Sequence, residues 1–192
     1  MPPVSGITLL QNNNCFYIIV NVFSDELKGL IRNQLAGVWN GFAEVEESPE
    51  IHSYKRTLNS FLDRYRDKAE TTKKGMIGEL LSHILINEYM QTFTSLSVLK
   101  NKEERSIKKG FDIIYFDNIK MNVWYSEVKS GRRESGSETS SEYNTILLNR
   151  SHTGISTMFD EKRSSLWESA LIDVKLTIQD SKGRLKLKNL LD

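Results

Sequence analysis

Residues 109–130 have the sequence KGFDIIYFDNIKMNVWYSEVKS, which is the most informative segment of the chain. It contains two short runs of β-branched and aromatic residues, which favour strands. The pair Asp117-Asn118 lies between them and is typical of turns. The pattern therefore predicts an antiparallel hairpin with strands over 111–116 and 122–129.

Three charged residues occupy informative positions in this hairpin: Asp112, Glu127 and Lys129. Side chains alternate along a strand, so Glu127 and Lys129 share one face, while Val128 points the other way into a core. Asp112 is a lone acid in an apolar run, which is costly to bury unless it is paired or metal-bound. Carboxylates suit Mg²⁺, and a nearby ammonium can orient a water and stabilise charge on a phosphate. The residues predict metal-dependent phosphodiester hydrolysis.

Composition limits the other classes of function. The chain has 192 residues with a formal net charge of +1, so a nucleic-acid surface must be a local patch. Cys15 is the only cysteine, which excludes an internal disulfide and a cysteine-based zinc cluster. No apolar stretch approaches the roughly 18 residues of a membrane span, and no secretory signal is visible. We expect a cytoplasmic protein that does not enter a membrane.

Hydrophobic periodicity predicts the elements around the hairpin. The expected strands cover 15–23, 92–99 and 145–148, and the expected helices cover 25–38, 54–65, 75–90 and 156–171. Residues 173–179 fit either a last strand or a continuation of the preceding helix. Residues 131–142 are rich in Gly, Ser, Glu and Arg and are expected to form a loop beside Lys129.

These elements predict an α/β fold with a central mixed β-sheet flanked by helices. We expect one compact domain, in which a strand and helices over 1–70 pack on a core over 71–192. Near the end of the chain, basic and other residues alternate, which fits either a strand with one basic face or an ordinary solvated face. The basic residues there are Lys182, Arg184, Lys186 and Lys188.

The order of the acidic residues resembles the PD-(D/E)XK nuclease superfamily over residues 75–172. Glu79 follows Gly78 on a predicted helix, and Asp112 is separated by 14 residues from Glu127, which opens an E-X-K tripeptide. Phe111 stands where the superfamily pattern has a proline. The resemblance implies a restriction-endonuclease-like core. It also implies that Asp112, Glu127 and Glu79 bind Mg²⁺, with Mn²⁺ as a substitute, and that Lys129 positions or activates water.

A narrower resemblance rests on the segment KGMIGELLSH at 74–83, followed by Gly-Phe-Asp at 110–112 and Ser-Glu-Val-Lys at 126–129. Together they are similar to the HamA-like nuclease subunit of Hachiman-type antiphage systems. That resemblance implies DNA cleavage in antiphage defence with a helicase-like partner. Two alternatives stay open: a latent or non-catalytic nuclease-fold subunit that acts as a binding module, and a stand-alone restriction endonuclease.

Several residue assignments have alternatives. Glu88 rivals Glu79 as the helix carboxylate, because it lies nearer the centre of the apolar arc. Arg132 and Arg133 could contact nucleic-acid phosphates or form part of a solvated loop. His83, one turn after Glu79, fits a core group better than a metal ligand. No Walker-type phosphate loop is present, so ATP hydrolysis by this chain is not expected.

Overall fold

The computed structural model describes residues 4–13, 15–100, 111–133, 139–160 and 164–191. Helices predominate, and two small antiparallel sheets accompany them. The elements in chain order are β1 (Ile7–Asn12), β2 (Cys15–Val20), α1 (Asp25–Asn40), α2 (Phe42–Glu47), α3 (Tyr54–Arg66), α4 (Glu70–Tyr89), β3 (Phe93–Ser95), β4 (Ile113–Asp117), β5 (Asn122–Ser126), α5 (Ser140–Asp160), α6 (Ser164–Thr177) and α7 (Ser181–Leu191).

Strand β4 lies at the centre of the β3-β4-β5 sheet and is covered on both faces. All five of its residues are buried. The ring of His83 in α4 lies 6.3 Å from the ring of Tyr115 on one face. On the other face, Ile114 and Phe116 share a cluster with residues of α6 and α7, including Val174. Burial on both sides explains why β4 is a continuous apolar run rather than an alternating one.

The predicted β4–β5 hairpin is confirmed, and Asp117 shapes its turn. Asp117 Oδ1 accepts hydrogen bonds of 3.0 and 3.1 Å from the backbone N–H groups of Ile119 and Lys120. Strand β5 is shorter than predicted, because Ser126 opposite Ile113 is its last paired residue. Glu127 to Lys129 therefore follow the strand instead of ending it.

The N-terminal elements pack on α4. Helices α1, α3 and α4 share a cluster that includes Trp39, Phe61 and Ile84. The β1–β2 hairpin packs on α1 and α4 through Ile7. Helices on the two sides of residue 70 thus share a core, and the predicted division there stays a prediction. None of the helices in the described ranges has the length and apolar character that crossing a membrane requires.

Strand β1 was not predicted, although it pairs along its whole length with β2. The predicted strand over 15–23 is correct in type but ends at Val20. Asn13 lies in the connecting turn with a φ of 51°, a left-handed conformation that asparagine adopts more readily than most residues. This Asn-rich turn was the available signal for the hairpin.

Two predictions are wrong here, the mixed sheet and the strand over 145–148. Within the described residues the sheets are antiparallel, not mixed. Residues 145–148 lie inside α5, because Thr139 and Glu142 form a reciprocal capping box at the start of that helix. The predicted helix over 156–171 falls on two helices, α5 and α6, and residues 173–177 continue α6.

The basic segment near the C-terminus is also helical. Asp180 Oδ2 accepts a 2.6 Å hydrogen bond from the Gly183 backbone N–H and so caps the start of α7. Leu187 and Leu191 of this helix are buried against the sheet. Of the two alternatives for this segment, the strand with one basic face is therefore wrong, and the basic residues lie on a helix.

A buried hydrogen bond ties α6 to the chain after β3. Asp173 is 4% exposed, and its Oδ2 accepts a 3.0 Å hydrogen bond from the Val98 backbone N–H. We expect Asp173→Ala to lower the free energy of unfolding by about 1–3 kcal/mol, because it leaves a buried N–H unsatisfied. Asp173→Asn retains a hydrogen-bond acceptor and should lose less stability than Asp173→Ala. Urea denaturation of the three proteins measures this, and equal stability of the Ala and Asn variants would contradict it.

Candidate functional site

The candidate site lies where the β4–β5 hairpin meets α4 and α5. Asp112 directly precedes β4, and its Oδ2 accepts a 2.6 Å hydrogen bond from the Val128 backbone N–H just after β5. Lys129 Nζ contacts Glu127 Oε1 as an ion pair. The structure thus brings together Asp112, Glu127 and Lys129, although Glu127 and Lys129 lie beyond the strand.

The Glu127 side chain is more buried than that of Lys129. It is 7% exposed, compared with 34% for Lys129. Burial raises the pKa of the Glu127 carboxyl, and the neighbouring Asp112 carboxylate raises it further, while Lys129 lowers it in part. Glu127 Oε2 is buried and finds no hydrogen-bond partner within the described residues. The site therefore holds a carboxylate whose negative charge the protein stabilises only partly.

Helix α5 covers Glu127. Ser151 Oγ donates a hydrogen bond to the Glu127 backbone carbonyl. A Cβ atom on Gly154 would lie 3.2 Å from Glu127 Oε1, so the absence of a side chain lets α5 approach this carboxylate. Sequence reasoning missed Ser151 and Gly154, because it did not extend the helix to this part of the chain.

Helix α4 approaches the segment after Glu127 at Gly78. A Cβ atom there would overlap the Ser130 hydroxyl and lie 2.9 Å from Ser130 Cβ. The same atom would lie 3.9 Å from Val128 Cγ1. Val128 is half-buried and follows β5, so it packs toward α4 rather than pointing into the core from a strand.

The structure separates the two candidate helix carboxylates. Glu88 Oε2 accepts a 3.4 Å hydrogen bond from Gln34 Nε2 of α1, so it lies on the α1 side of α4. Glu79 follows Gly78, the residue that approaches Ser130, and is half-buried. Among the described residues, no group of three or more His, Cys, Asp or Glu side chains is placed to hold a metal ion. The carboxylates brought together are Asp112 and Glu127, and the role of Glu79 stays a prediction.

His83 and the two arginines lie outside this group. His83 is 1% exposed, and its Nε2 lies 3.2 Å from Ser95 Oγ, as expected for a core histidine. Arg132 and Arg133 are exposed and follow Gly131. Residues 134–138 of the predicted loop lie outside the described residues, and residues 140–142 begin α5.

The basic residues of α7 border a separate cleft of 460 Å³. Lys182, Arg184 and Lys188 line it together with Lys175 of α6. Lys186 is exposed on the same helix and does not line the cleft. The structure therefore gathers most, but not all, of the basic residues that the sequence singled out.

Comparison of this sequence with models of known protein families identifies the family to which the chain belongs. The family model for HamA matches residues 6–192, which include every residue of the candidate site. The chain belongs to the HamA family. Nothing among the curated proteins or the solved structures matches it. Membership of the HamA family fits a role in Hachiman-type antiphage defence.

In this HamA-family chain, close packing at Gly78 is directly testable. We expect Gly78→Ala to lower the free energy of unfolding by about 1–3 kcal/mol, because the added methyl group overlaps Ser130. Gly75→Ala is the matched control on the same helix, since nothing lies within 4 Å of a Cβ atom there. The free energy of unfolding of that control should rise by up to about 1 kcal/mol, because alanine has a higher helix propensity than glycine.

The double variant Gly78→Ala/Ser130→Gly removes the overlapping hydroxyl and should recover most of the loss. Chemical denaturation measures all four proteins. If Gly78→Ala is as stable as Gly75→Ala, the close approach of α4 to Ser130 is wrong.

The raised pKa of Glu127 predicts how stability depends on pH. The unfolded chain ionises this carboxyl near its ordinary pKa of 4.5, whereas the folded chain does so only at higher pH. The folded state therefore binds more protons between the two pKa values, and stability falls as pH rises through that window. Glu127→Gln cannot ionise, so we expect it to be more stable than wild type at neutral pH.

This advantage of Glu127→Gln should disappear below the ordinary carboxyl pKa. Thermal unfolding across the pH range measures it. Glu142→Gln is the control of opposite sign, because the Thr139 backbone N–H lowers the pKa of Glu142. A difference between Glu127→Gln and wild type that does not vary with pH would contradict the burial of an ionisable carboxyl.

Proposed function

We propose that this HamA-family chain is a metal-dependent nuclease subunit that hydrolyses DNA phosphodiester bonds. In this proposal it acts in antiphage defence together with a helicase-like partner. The observation that carries the proposal is the meeting of Asp112, Glu127 and Lys129 where α4 and α5 close around the end of the hairpin. Two acids and an amine are the groups that metal-assisted hydrolysis of a phosphodiester requires.

The acids fit a hard cation such as Mg²⁺, or Mn²⁺ in its place. Mg²⁺ is commonly held by one or two carboxylates and keeps several waters. Glu127 Oε2 is buried and unpaired within the described residues, and the raised pKa of Glu127 reflects a charge that a cation would stabilise. Asp112 and Glu127 would hold the ion, with Glu79 as a third candidate ligand. A bound ion lowers the pKa of its water and polarises the phosphate.

The other steps belong to the protein's own groups. The Val128 N–H fixes Asp112, so the position of this acid depends on the end of β5. Lys129 Nζ is held by Glu127 and remains partly exposed, so it can donate to an attacking water and to a phosphate oxygen. Helix α5 limits the access of bulk water to Glu127.

Arg132 and Arg133 follow Lys129 by three and four residues and are exposed. Guanidinium groups here would contact phosphates that flank the cleaved bond. Such contacts position a nucleic acid without reading its sequence. This arrangement supports cleavage with little sequence preference.

Lys129→Ala tests the catalytic assignment. We expect plasmid nicking in Mg²⁺ or Mn²⁺ to fall by roughly 10²–10³-fold, because a charge-stabilising donor is lost. Stability should change little, since the ammonium is partly exposed. Lys28→Ala, an exposed lysine of α1 paired with Asp25, is the matched control and should cleave normally. Equal cleavage by wild type and Lys129→Ala would contradict the catalytic assignment of Lys129.

Burial of Glu127 favours one alternative, a latent subunit. Its carboxylate is 7% exposed and is already engaged by Lys129. A latent subunit would be inactive as an isolated chain and would cleave only in complex with its partner. A binding module would remain inactive in both preparations, whereas a stand-alone restriction endonuclease would cut specific sites without a partner.

A further inference from the structure

A second cleft opens directly beside Glu127. Its volume is 410 Å³, and it lies between α5, the end of α4 and the edge strand β5. One face of α5 forms a wall through residues at helical spacing: Leu148, Ser151, His152 and Ile155. The opposite wall carries the aromatic side chains of Phe93, Tyr115 and Trp124, and the strand at Tyr125 also borders the cleft. Glu127 belongs to the lining, so this cleft and the candidate hydrolytic site are contiguous.

Two buried polar atoms belong to residues that line this cleft. Tyr115 is 3% exposed, and its hydroxyl has no hydrogen-bond partner in the part of the chain that the structure describes. Glu127 Oε2 is the other, but the cation proposed for the candidate site already accounts for it, so the Tyr115 hydroxyl is the atom that a ligand in the cleft must pair. Buried polar groups in proteins are nearly always paired, so unpaired ones in a cleft indicate a ligand that supplies the missing partner.

The aromatic wall has a flat, accessible part. The side chain of Trp124 is 44% exposed, and its ring centroid lies 5.7 Å from that of Phe93. Lys120 Nζ lies 5.6 Å from the centroid of the Trp124 ring. The ammonium covers one face of the indole, so a planar ring that stacks at Trp124 either uses the other exposed part of the ring or displaces Lys120, which can then meet an anionic group attached to the ligand.

We propose that this cleft binds one unstacked nucleobase of the DNA strand whose phosphodiester lies at Asp112, Glu127 and Lys129. The inference rests on the proposed nuclease function and names its substrate more closely. A base supplies a π-face for Trp124 and a polar edge for the Tyr115 hydroxyl. An aliphatic ligand would leave that hydroxyl unpaired. The volume falls in the range of about 300–1,000 Å³ that is usual for small-ligand sites.

A nucleobase bound in this cleft determines whether the chain should prefer single-stranded or duplex DNA. Bases in a duplex are stacked and paired, and placing one in a pocket requires extrusion at a cost in free energy. A single strand, or a duplex opened by another protein, does not carry that cost. The chain should therefore bind single-stranded DNA more tightly than duplex of the same sequence.

The test is fluorescence anisotropy in EDTA, which reports binding without cleavage. The probes are a short single-stranded oligonucleotide, the matching duplex, and an abasic strand with the same backbone. We expect Tyr115→Phe to bind the single strand about 10-fold more weakly, because one hydrogen bond is lost. Trp124→Leu should weaken binding by roughly 10-fold or more through lost stacking. The abasic strand should bind weakly to wild type and show no further loss in either variant.

Tyr17→Phe removes a hydroxyl from an exposed tyrosine of β2 and should bind like wild type. Tyr115→Phe removes an unpaired buried hydroxyl, so it should fold at least as stably as wild type, and a thermal melt verifies this. Equal binding of the single strand by wild type, Tyr115→Phe and Trp124→Leu would overturn the base site. Wild-type binding of the abasic strand or the duplex as tightly as the single strand would also overturn it, as would no binding of any probe.

The outcomes for the base site and for the nuclease are separable. If single-strand binding depends on Tyr115 and Trp124 but no condition yields cleavage, the base site stands and the nuclease proposal fails. If cleavage depends on Lys129 while both cleft variants bind normally, the nuclease stands and the base site fails.

Discussion

The candidate site depends on the burial of strand β4 between two layers of helices. Helix α4 covers one face, and α6 and α7 cover the other. A slip of one residue would exchange the two sets of side chains, so burial on both faces fixes the register of β4 against β5. That register places Ser126 opposite Ile113. Asp112 and Glu127, the next residue on each side, consequently meet at one end of the sheet.

The part of this arrangement that sequence predicts is local. β-branched and aromatic runs with Asp117 at the turn specify the hairpin, and apolar periodicity specifies α1. Asp112 precedes the first strand of the hairpin, and Glu127 and Lys129 follow the second. Because the start of one strand lies beside the end of the other in a hairpin, the sequence also predicts that these three residues lie together. Family resemblance added Glu79, whose role the geometry leaves as a proposal.

The other parts of the fold and of the candidate site depend on contacts that hydrophobic periodicity does not encode. The run over 145–148 is β-like in composition, yet the capping box of Thr139 and Glu142 starts a helix that continues through it. The approach of Gly154 to Glu127 joins residues that only the tertiary fold brings together, as does that of Gly78 to Ser130. A cleft lined by α4, α5 and all three strands of the β3-β4-β5 sheet is likewise a property of packing. Sequence reasoning therefore found the charged residues but not the surfaces that enclose them.

Glu127 links the two proposed roles of this region. A carboxyl that is buried beside another acid has a raised pKa, so its ionised form costs folding stability at neutral pH. Natural proteins tolerate such a cost mainly where a function requires it, and the lining of a cleft by the same residue gives that function a location. In this arrangement, a base held against Trp124 and a phosphodiester held at Asp112 and Lys129 share Glu127 as their common boundary. Because one side chain borders both positions, the two proposals together imply that binding of the base aligns the adjacent phosphate and that an unpaired strand is the substrate.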